Sequence, residues 1–141
     1  MTDTDANHTG SPAEELAGTL IARMGIELGD IGPEGATGRM PVAGNIQPAG
    51  LLHGGASAVL AETLGSVAAH AHARDMDAAR TAAGVDLNIT HHRAVRTGWV
   101  HGRAEAVHLG RRTANYVVVI TDDDGARVAS ARLTCQVITL G

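Results

Sequence analysis

A run of small and apolar residues from Gly54 to Ala73 narrows the possible folds more than any other part of the chain. It reads GGASAVLAETLGSVAAHAHA and carries one carboxylate, Glu62, with no Lys or Arg. It has no proline and few β-branched residues, and its Ala and Leu residues favour a helix. A helix that is apolar on nearly every side has to be buried. A chain of 141 residues can hardly surround it alone, so we expect a sheet and a second subunit to cover it.

The segment before this run predicts a tail, a helix and two short strands. Residues 1–10 are polar and read as a disordered tail. The motif Ser11-Pro12-Ala13-Glu14 predicts a helix start with a capping box, and Gly25 ends the helical pattern. Residues 26–31 and 36–43 predict two strands around a Gly-Pro turn.

The C-terminal half is rich in Val, Ile and Thr and predicts four strands. The predicted strands are Gly84–Thr90, Trp99–Leu109, Thr113–Asp122 and Arg127–Leu140. Val85, Leu87 and Ile89 alternate, which places them on one face. Asp122-Asp123-Asp124-Gly125 predicts a tight turn of a long hairpin. The sequence therefore predicts a single α+β domain over residues 11–141, an antiparallel sheet wrapped around one long central helix.

Charge and cysteine content indicate which binding partners and which cellular compartment to expect. The net charge is −4, so no global basic field points to nucleic acid, and all 11 basic residues are Arg. The one cysteine, Cys135, cannot form an intrachain disulfide, and the N-terminus lacks the pattern of a signal peptide, so we expect a cytoplasmic protein. Glu62 and several His residues in the 51–73 run argue against a membrane span.

Glu62 and the two glycines at the predicted helix start suggest a divided site. The backbone N–H groups of Gly54 and Gly55, aided by the helix dipole, could polarise a carbonyl. Ser66 lies on the face of Glu62 because it is four residues further on. Glu62 is eight residues from Gly54, which is about 12 Å along the axis. If the two groups cooperate, Glu62 has to face the helix start of a second subunit.

The sequence resembles the hotdog-fold acyl-CoA thioesterases. The similar residues are Gln47-Pro48-Ala49-Gly50-Leu51-Leu52-His53-Gly54-Gly55 followed by Ala61-Glu62-Thr63-Leu64-Gly65-Ser66. The similarity is greatest to the branch with the 4-hydroxybenzoyl-CoA, phenylacetate-pathway, dihydroxynaphthoyl-CoA and enterobactin-proofreading thioesterases, and it extends from about residue 20 to the end.

The resemblance implies roles for residues of the motif. Glu62 would be the catalytic carboxylate, which attacks the thioester or activates water. The Gly54 N–H of the partner would polarise the carbonyl, with Gln47 and His53 beside it. Ser66 would hold the water or Glu62. No metal and no cofactor are implied, and the expected assembly is at least a homodimer, with a tetramer suggested by the family.

Further residues are candidates for contacts with the acyl group and coenzyme A. The resemblance places His91 near the acyl group and Arg112 and Thr113 near the nucleotide. Because arginine binds phosphates in a forked geometry, Arg93 and Arg111 are also candidates, and Gly55 is expected at the substrate.

Two departures from the family and several alternatives stay open. Ala49 stands where close relatives often carry an aromatic residue, and the loop near residues 74–80 reads as longer. Alternative functions are a thioesterase acting on acyl-carrier proteins, an acyl-CoA hydratase and a non-catalytic acyl-CoA-binding protein. The pairs His70/His72 and His91/His92 are a weak metal signal, and Cys135 is expected in the core.

Overall fold

The computed structural model describes residues 12–140. The tail predicted for residues 1–10 and the cap predicted at Ser11 lie outside the described residues. The elements follow the predicted order along the chain. They are α1 Pro12–Leu16, α2 Leu20–Arg23, β1 Glu27–Gly32, β2 Gly35–Pro41, α3 Gly54–Met76, β3 Arg80–His91, β4 Trp99–Leu109, β5 Thr113–Thr121 and β6 Arg127–Thr139.

The predicted N-terminal helix is two short helices instead of one. Gly18 adopts a left-handed conformation with φ +81°, which interrupts the helix between α1 and α2. Thr19 then caps α2, because its hydroxyl oxygen accepts a hydrogen bond from the Ala22 N–H at 3.3 Å. Gly25, with φ +72°, follows α2 as the sequence predicted.

The six strands form one antiparallel sheet in the order β1-β2-β4-β5-β6-β3. Helix α3 crosses one face of this sheet and buries Leu60 and Leu64 completely. Gly102 of β4 allows this close packing, because a Cβ there would come within 2.5 Å of Leu64 Cδ1. The predicted α+β hotdog architecture is therefore confirmed, with α3 as the central helix.

Two details of β3 differ from the prediction. The strand begins at Arg80, four residues earlier than expected, and α3 continues to Met76, so the predicted long loop near 74–80 is reduced to a short turn. The register against β6 shifts between Gly84 and Asp86, and Val85 is 58% exposed. The strict alternation of Val85 with Leu87 and Ile89 was therefore wrong, because a β-bulge resets the phase of the strand.

The turn between β5 and β6 is the predicted one. One carboxylate oxygen of Asp122 accepts hydrogen bonds from the N–H groups of Asp124 and Ala126, both at 2.9 Å. Gly125 has φ +81°, which glycine adopts without steric cost. The last two strands form the expected hairpin.

Helix α3 is buried against the sheet but open on the opposite face. Glu62 is exposed, and Val59, Thr63, Ser66 and Val67 are only partly buried in the single subunit. The sheet thus covers one side of the helix, as expected. The open side is where the sequence predicted a second subunit.

Candidate active site

The N-terminus of α3 is capped by His53. Its Nδ1 accepts a hydrogen bond from the Gly55 N–H at 2.8 Å. One of the two glycine N–H groups that the sequence offered for a carbonyl is therefore already used inside the helix start. His53 does not line the adjacent cleft, so its observed contact is the cap.

The Gly54 N–H is the remaining candidate donor. Among residues 12–140, no group accepts a hydrogen bond from it. The imidazole of His91, at the end of β3, lies against Gly54, because a Cβ at position 54 would be 2.8 Å from His91 Nε2. A side chain at position 54 would have to displace this ring, and the ring and the N–H share one cleft.

This cleft, the donor cleft, has a volume of about 390 Å³. Its lining includes Gln47, Gly54, Ser57, His91 and Arg93. The Gln47 side-chain oxygen accepts a hydrogen bond from the Ala49 N–H, which holds the amide in the loop before α3. The structure therefore brings together Gln47, Gly54 and His91, three of the residues predicted for the carbonyl and the acyl group.

Glu62 lies in a different cavity, the acid groove, on the open face of α3. The acid groove has a volume of about 300 Å³ and is lined by Leu20, Ile21, Val59, Glu62, Thr63, Ser66 and Val67. Most of these side chains are apolar, so the groove could hold an apolar group beside the carboxylate.

Ser66 and Cys135 lie close to Glu62. Burial raises the pKa of the Cys135 thiol to about 11, a hydrogen bond with Ser66 opposes this rise, and the nearby charge of Glu62 adds to it. Cys135 is completely buried and stays a neutral thiol at physiological pH. The structure thus confirms Cys135 as a core residue and places Ser66 beside it and the acid groove.

The donor cleft and the acid groove share no lining residue. Gly54 and Glu62 are separated by eight helical residues, which is about 12 Å along α3. A thioester carbonyl at the Gly54 N–H is therefore out of reach of Glu62 in the same subunit. The two cavities of one subunit therefore do not form a single site.

The arginine candidates divide between the two ends of α3. Arg93 lines the donor cleft, and its Nε lies 3.6 Å from the Asp122 carboxylate. Arg111 and Arg112 lie in the β4–β5 turn, and the Arg111 carbonyl accepts a hydrogen bond from Arg80 at the start of β3. Thr113 opens β5 beside them and is exposed. Because β3 runs from Arg80 to His91, this turn is roughly 35 Å from the donor cleft of the same subunit.

The histidine pairs have other partners. His70 Nδ1 lies 2.8 Å from the Thr81 hydroxyl, and His72 Nε2 lies 2.7 Å from the Gly110 carbonyl oxygen. His92 Nε2 lies 3.0 Å from the Ser130 hydroxyl. Within residues 12–140, no group of three or more His, Cys, Asp or Glu side chains could hold a metal ion. In the same residues, no helix is long and apolar enough to cross a membrane.

Gly84 also lies beside Glu62, although no sequence motif predicted it. It lies in β3, and a Cβ at this position would be 2.6 Å from Glu62 Oε1. The sequence offers no clear signal, because the predicted strand began at Gly84, and a glycine indicates a bulge or a close approach only when it lies inside a strand.

Comparisons with known proteins show the family of the chain. A family model described as "Thioesterase superfamily" matches residues 49–129. Over 122 residues, the chain is 43% identical to the "Proofreading thioesterase EntH" of Cronobacter turicensis, and the match covers 86% of this chain and 87% of that protein.

Solved structures give the same family. A thioesterase of Haemophilus influenzae has a TM-score of 0.83 and 34% identity, and the match covers 91% of this chain and 88% of that one. A thioesterase of Pseudomonas aeruginosa, with a glutamine replaced by alanine, has a TM-score of 0.83 and 38% identity, and the match covers 89% of this chain and 90% of that one. The chain therefore belongs to the thioesterase superfamily and has its hotdog fold.

Proposed function

We propose that this thioester hydrolase cleaves acyl-CoA, with an aryl or arylacetyl group as the favoured acyl part, at a site built by two subunits. The observation that carries the proposal is the division of the site. The Gly54 N–H lies in one cavity and the Glu62 carboxylate in another, about 12 Å apart along one helix. Neither half contains both groups that thioester hydrolysis needs.

An antiparallel pair of α3 helices joins the halves. In such a pair, Glu62 of one subunit faces the helix start of the other, and the two-fold axis generates two identical sites. The open face of α3 supports this arrangement, since Glu62 is exposed and Ser66 only partly buried in the single subunit. A homodimer is the minimum assembly, and the family resemblance favours a dimer of dimers.

The chemistry needs a polarised carbonyl and a carboxylate. The Gly54 N–H donates to the thioester oxygen and stabilises the negative charge that develops on it. Glu62 then either attacks the carbonyl carbon, forming an anhydride that water hydrolyses, or removes a proton from the attacking water. In both routes the C–S bond breaks, and the thiol and the free acid leave.

The other lining residues orient these groups. Gln47 and His91 border the carbonyl in the donor cleft, and Ser66 holds Glu62 or the water. His53 acts indirectly on the carbonyl, because its hydrogen bond with the Gly55 N–H sets the geometry of the helix start.

The arginines serve coenzyme A. The exposed Arg111, Arg112 and Thr113 of one subunit contact the coenzyme A bound at a site completed by the other, because they lie far from the donor cleft of their own subunit. Arg93 lies in the donor cleft itself.

A second candidate is hydrolysis of a thioester carried on an acyl-carrier protein. The observation that favours it is the 43% identity to a protein named a proofreading thioesterase. Both substrates present a thioester at the end of a phosphopantetheine arm, so the same two half-sites serve either reaction.

The test is thiol release from aryl, phenylacetyl and short- to long-chain aliphatic CoA thioesters, and from the same acyl groups on carrier proteins. Glu62→Gln is the matched variant, because it keeps the shape of the side chain and removes its charge. We expect kcat to fall by a factor of about 10³ or more, as happens when a catalytic group is lost. Turnover of carrier-protein thioesters alone would move the assignment to the second candidate, and an unchanged kcat in Glu62→Gln would overturn the role of Glu62.

A further inference from the structure

Gly84 lies opposite Glu62 on the inner face of the sheet. It pairs with Cys135 of β6, whose side chain is fully buried, so position 84 also faces α3. A Cβ at Gly84 would be 2.6 Å from Glu62 Oε1 and 3.5 Å from Glu62 Cδ. The next neighbour, Leu133 Cδ1, would be at an ordinary 3.6 Å.

The backbone conformation does not account for glycine at this position. The glycines with positive φ are Gly18, Gly25, Gly44, Gly50, Gly98 and Gly125 among the described residues, and Gly84 is not one of them. An alanine could adopt the same backbone angles. A side chain at position 84 would instead occupy the space of the Glu62 carboxylate.

The adjacent bulge keeps this space on the helix side. Because the register shifts between Gly84 and Asp86, Val85 is the extra residue, so Gly84 faces Glu62 and Leu87 packs against the core. Bulges occur often beside active sites, where they redirect the chain. Here the bulge starts at the residue over which the carboxylate lies.

We propose that Gly84 is a positioning residue for the carboxylate of Glu62. The proposal rests on the catalytic role of Glu62 proposed above. With no side chain at position 84, the carboxylate lies directly over the β3 backbone, which defines its height above the sheet. An added methyl group would push Glu62 Oε1 away by about 0.8 Å, because ordinary contact begins near 3.4 Å.

The direct test is Gly84→Ala with the best thioester substrate. A displacement of this size at a reacting group reduces the rate strongly, so we expect kcat to fall about 10- to 100-fold. KM should change less than about threefold, because the donor cleft is untouched. The control is Gly32→Ala in β1, where an added Cβ meets nothing within 4 Å, and it should keep wild-type activity.

A double-mutant cycle separates positioning from a general effect on the fold. In a Glu62→Asp background the shorter side chain no longer reaches position 84. Adding Gly84→Ala to that variant should therefore lower kcat by less than about threefold. An equal loss of kcat in the wild-type and Glu62→Asp backgrounds would overturn the proposal and leave the role of Glu62 intact. Full activity of Glu62→Gln would overturn both.

Thermal unfolding covers the case in which Gly84→Ala does not fold. Glu62→Ala removes the carboxylate that a side chain at position 84 would meet. The double variant Glu62→Ala/Gly84→Ala should therefore fold and have the melting temperature of Glu62→Ala alone. A folded double variant supports the contact between the two positions. A double variant that also fails to fold would show that position 84 rejects a side chain for another reason and would overturn the proposal.

Discussion

The Glu62 side chain lies between α3 and β3, the strand at one edge of the sheet. Gly84 leaves room for its carboxylate, and Ser66 and Cys135 lie nearby. The side chain remains exposed towards the acid groove. The carboxylate is therefore bounded on the sheet side and accessible on the side where the proposed partner would lie.

Cys135 leads to a prediction on pH and stability. Its pKa is raised from 9.0 to about 11, chiefly by burial, so the native state keeps a proton that the unfolded chain loses. The stabilising effect is complete below about pH 9 and is lost as the pH rises through about 11, with a total on the order of 3 kcal/mol. We expect the free energy of unfolding, measured with urea, to fall over this range and to fall less steeply in Cys135→Ala.

Tyr116 adds to the same slope at higher pH, because burial also raises its pKa. The Cys135→Ala variant should therefore reduce the slope without abolishing it. An identical pH dependence in the wild type and the variant would contradict the assignment to Cys135.

Glu62 could be identified from the sequence, but its surroundings could not. A lone carboxylate in an apolar run needs an explanation, and this marked the residue as a candidate. The contact with Gly84 could not be predicted in the same way, since pairing between distant segments creates it.

At the scale of the elements, the start of α3 is fixed by a cap. His53 accepts a hydrogen bond from the Gly55 N–H, and this cap is what leaves the Gly54 N–H as the donor. The sequence predicted the position of the helix start but assigned both glycine N–H groups to the carbonyl. The sequence only weakly indicates the cap, because histidine is not among the preferred N-cap residues.

Replacing His53 tests the cap. His53→Ala should lower the free energy of unfolding in urea by about 1 kcal/mol, whereas His53→Asn should keep most of the stability, because asparagine is a preferred N-cap acceptor. Equal destabilisation by Ala and Asn would mean that the ring matters for packing and that capping does not explain its effect.

In the strands and short helices, two predictions from local sequence patterns were wrong. The alternation at Val85, Leu87 and Ile89 predicted one face, but the bulge against β6 exposes Val85. Helical spacing before Gly25 predicted one helix, but Gly18 interrupts it. In both cases a single residue changes the phase or direction of the chain.

For the molecule as a whole, the proposed site has a consequence for mixed dimers. Glu62→Gln removes the carboxylate, and Gly54→Ala disturbs the donor, because the new Cβ would be 2.8 Å from His91 Nε2. Each variant alone should be inactive. In a mixed dimer, one site carries both changes and the other carries neither.

Mixing the two variants under conditions of subunit exchange should therefore restore activity to about 25% of the wild type, since about half of the dimers are mixed and each has one intact site. The measurement is thiol release before and after exchange, with each variant mixed with itself as the control. No recovery despite demonstrated exchange would place Gly54 and Glu62 in the same subunit's site.

The central helix, the order of the elements along the chain and the main catalytic candidates could all be predicted from the sequence. These features depend on local composition, on the spacing of apolar residues and on a compact motif around Gly54 and Glu62. Each of these can be recognised within one segment of the chain. The family comparisons agree with the fold and with thioester hydrolysis.

Which candidates lie together became known only from the folded chain. His91 is distant from Gly54 in sequence and yet lies against it, Gly84 makes room for Glu62, and Arg111 lies far from the donor cleft of its own subunit. Strand pairing and the packing of α3 on the sheet bring these distant residues into contact. Neither composition nor period encodes the register of that pairing, because the register depends on contacts between segments that are far apart along the chain.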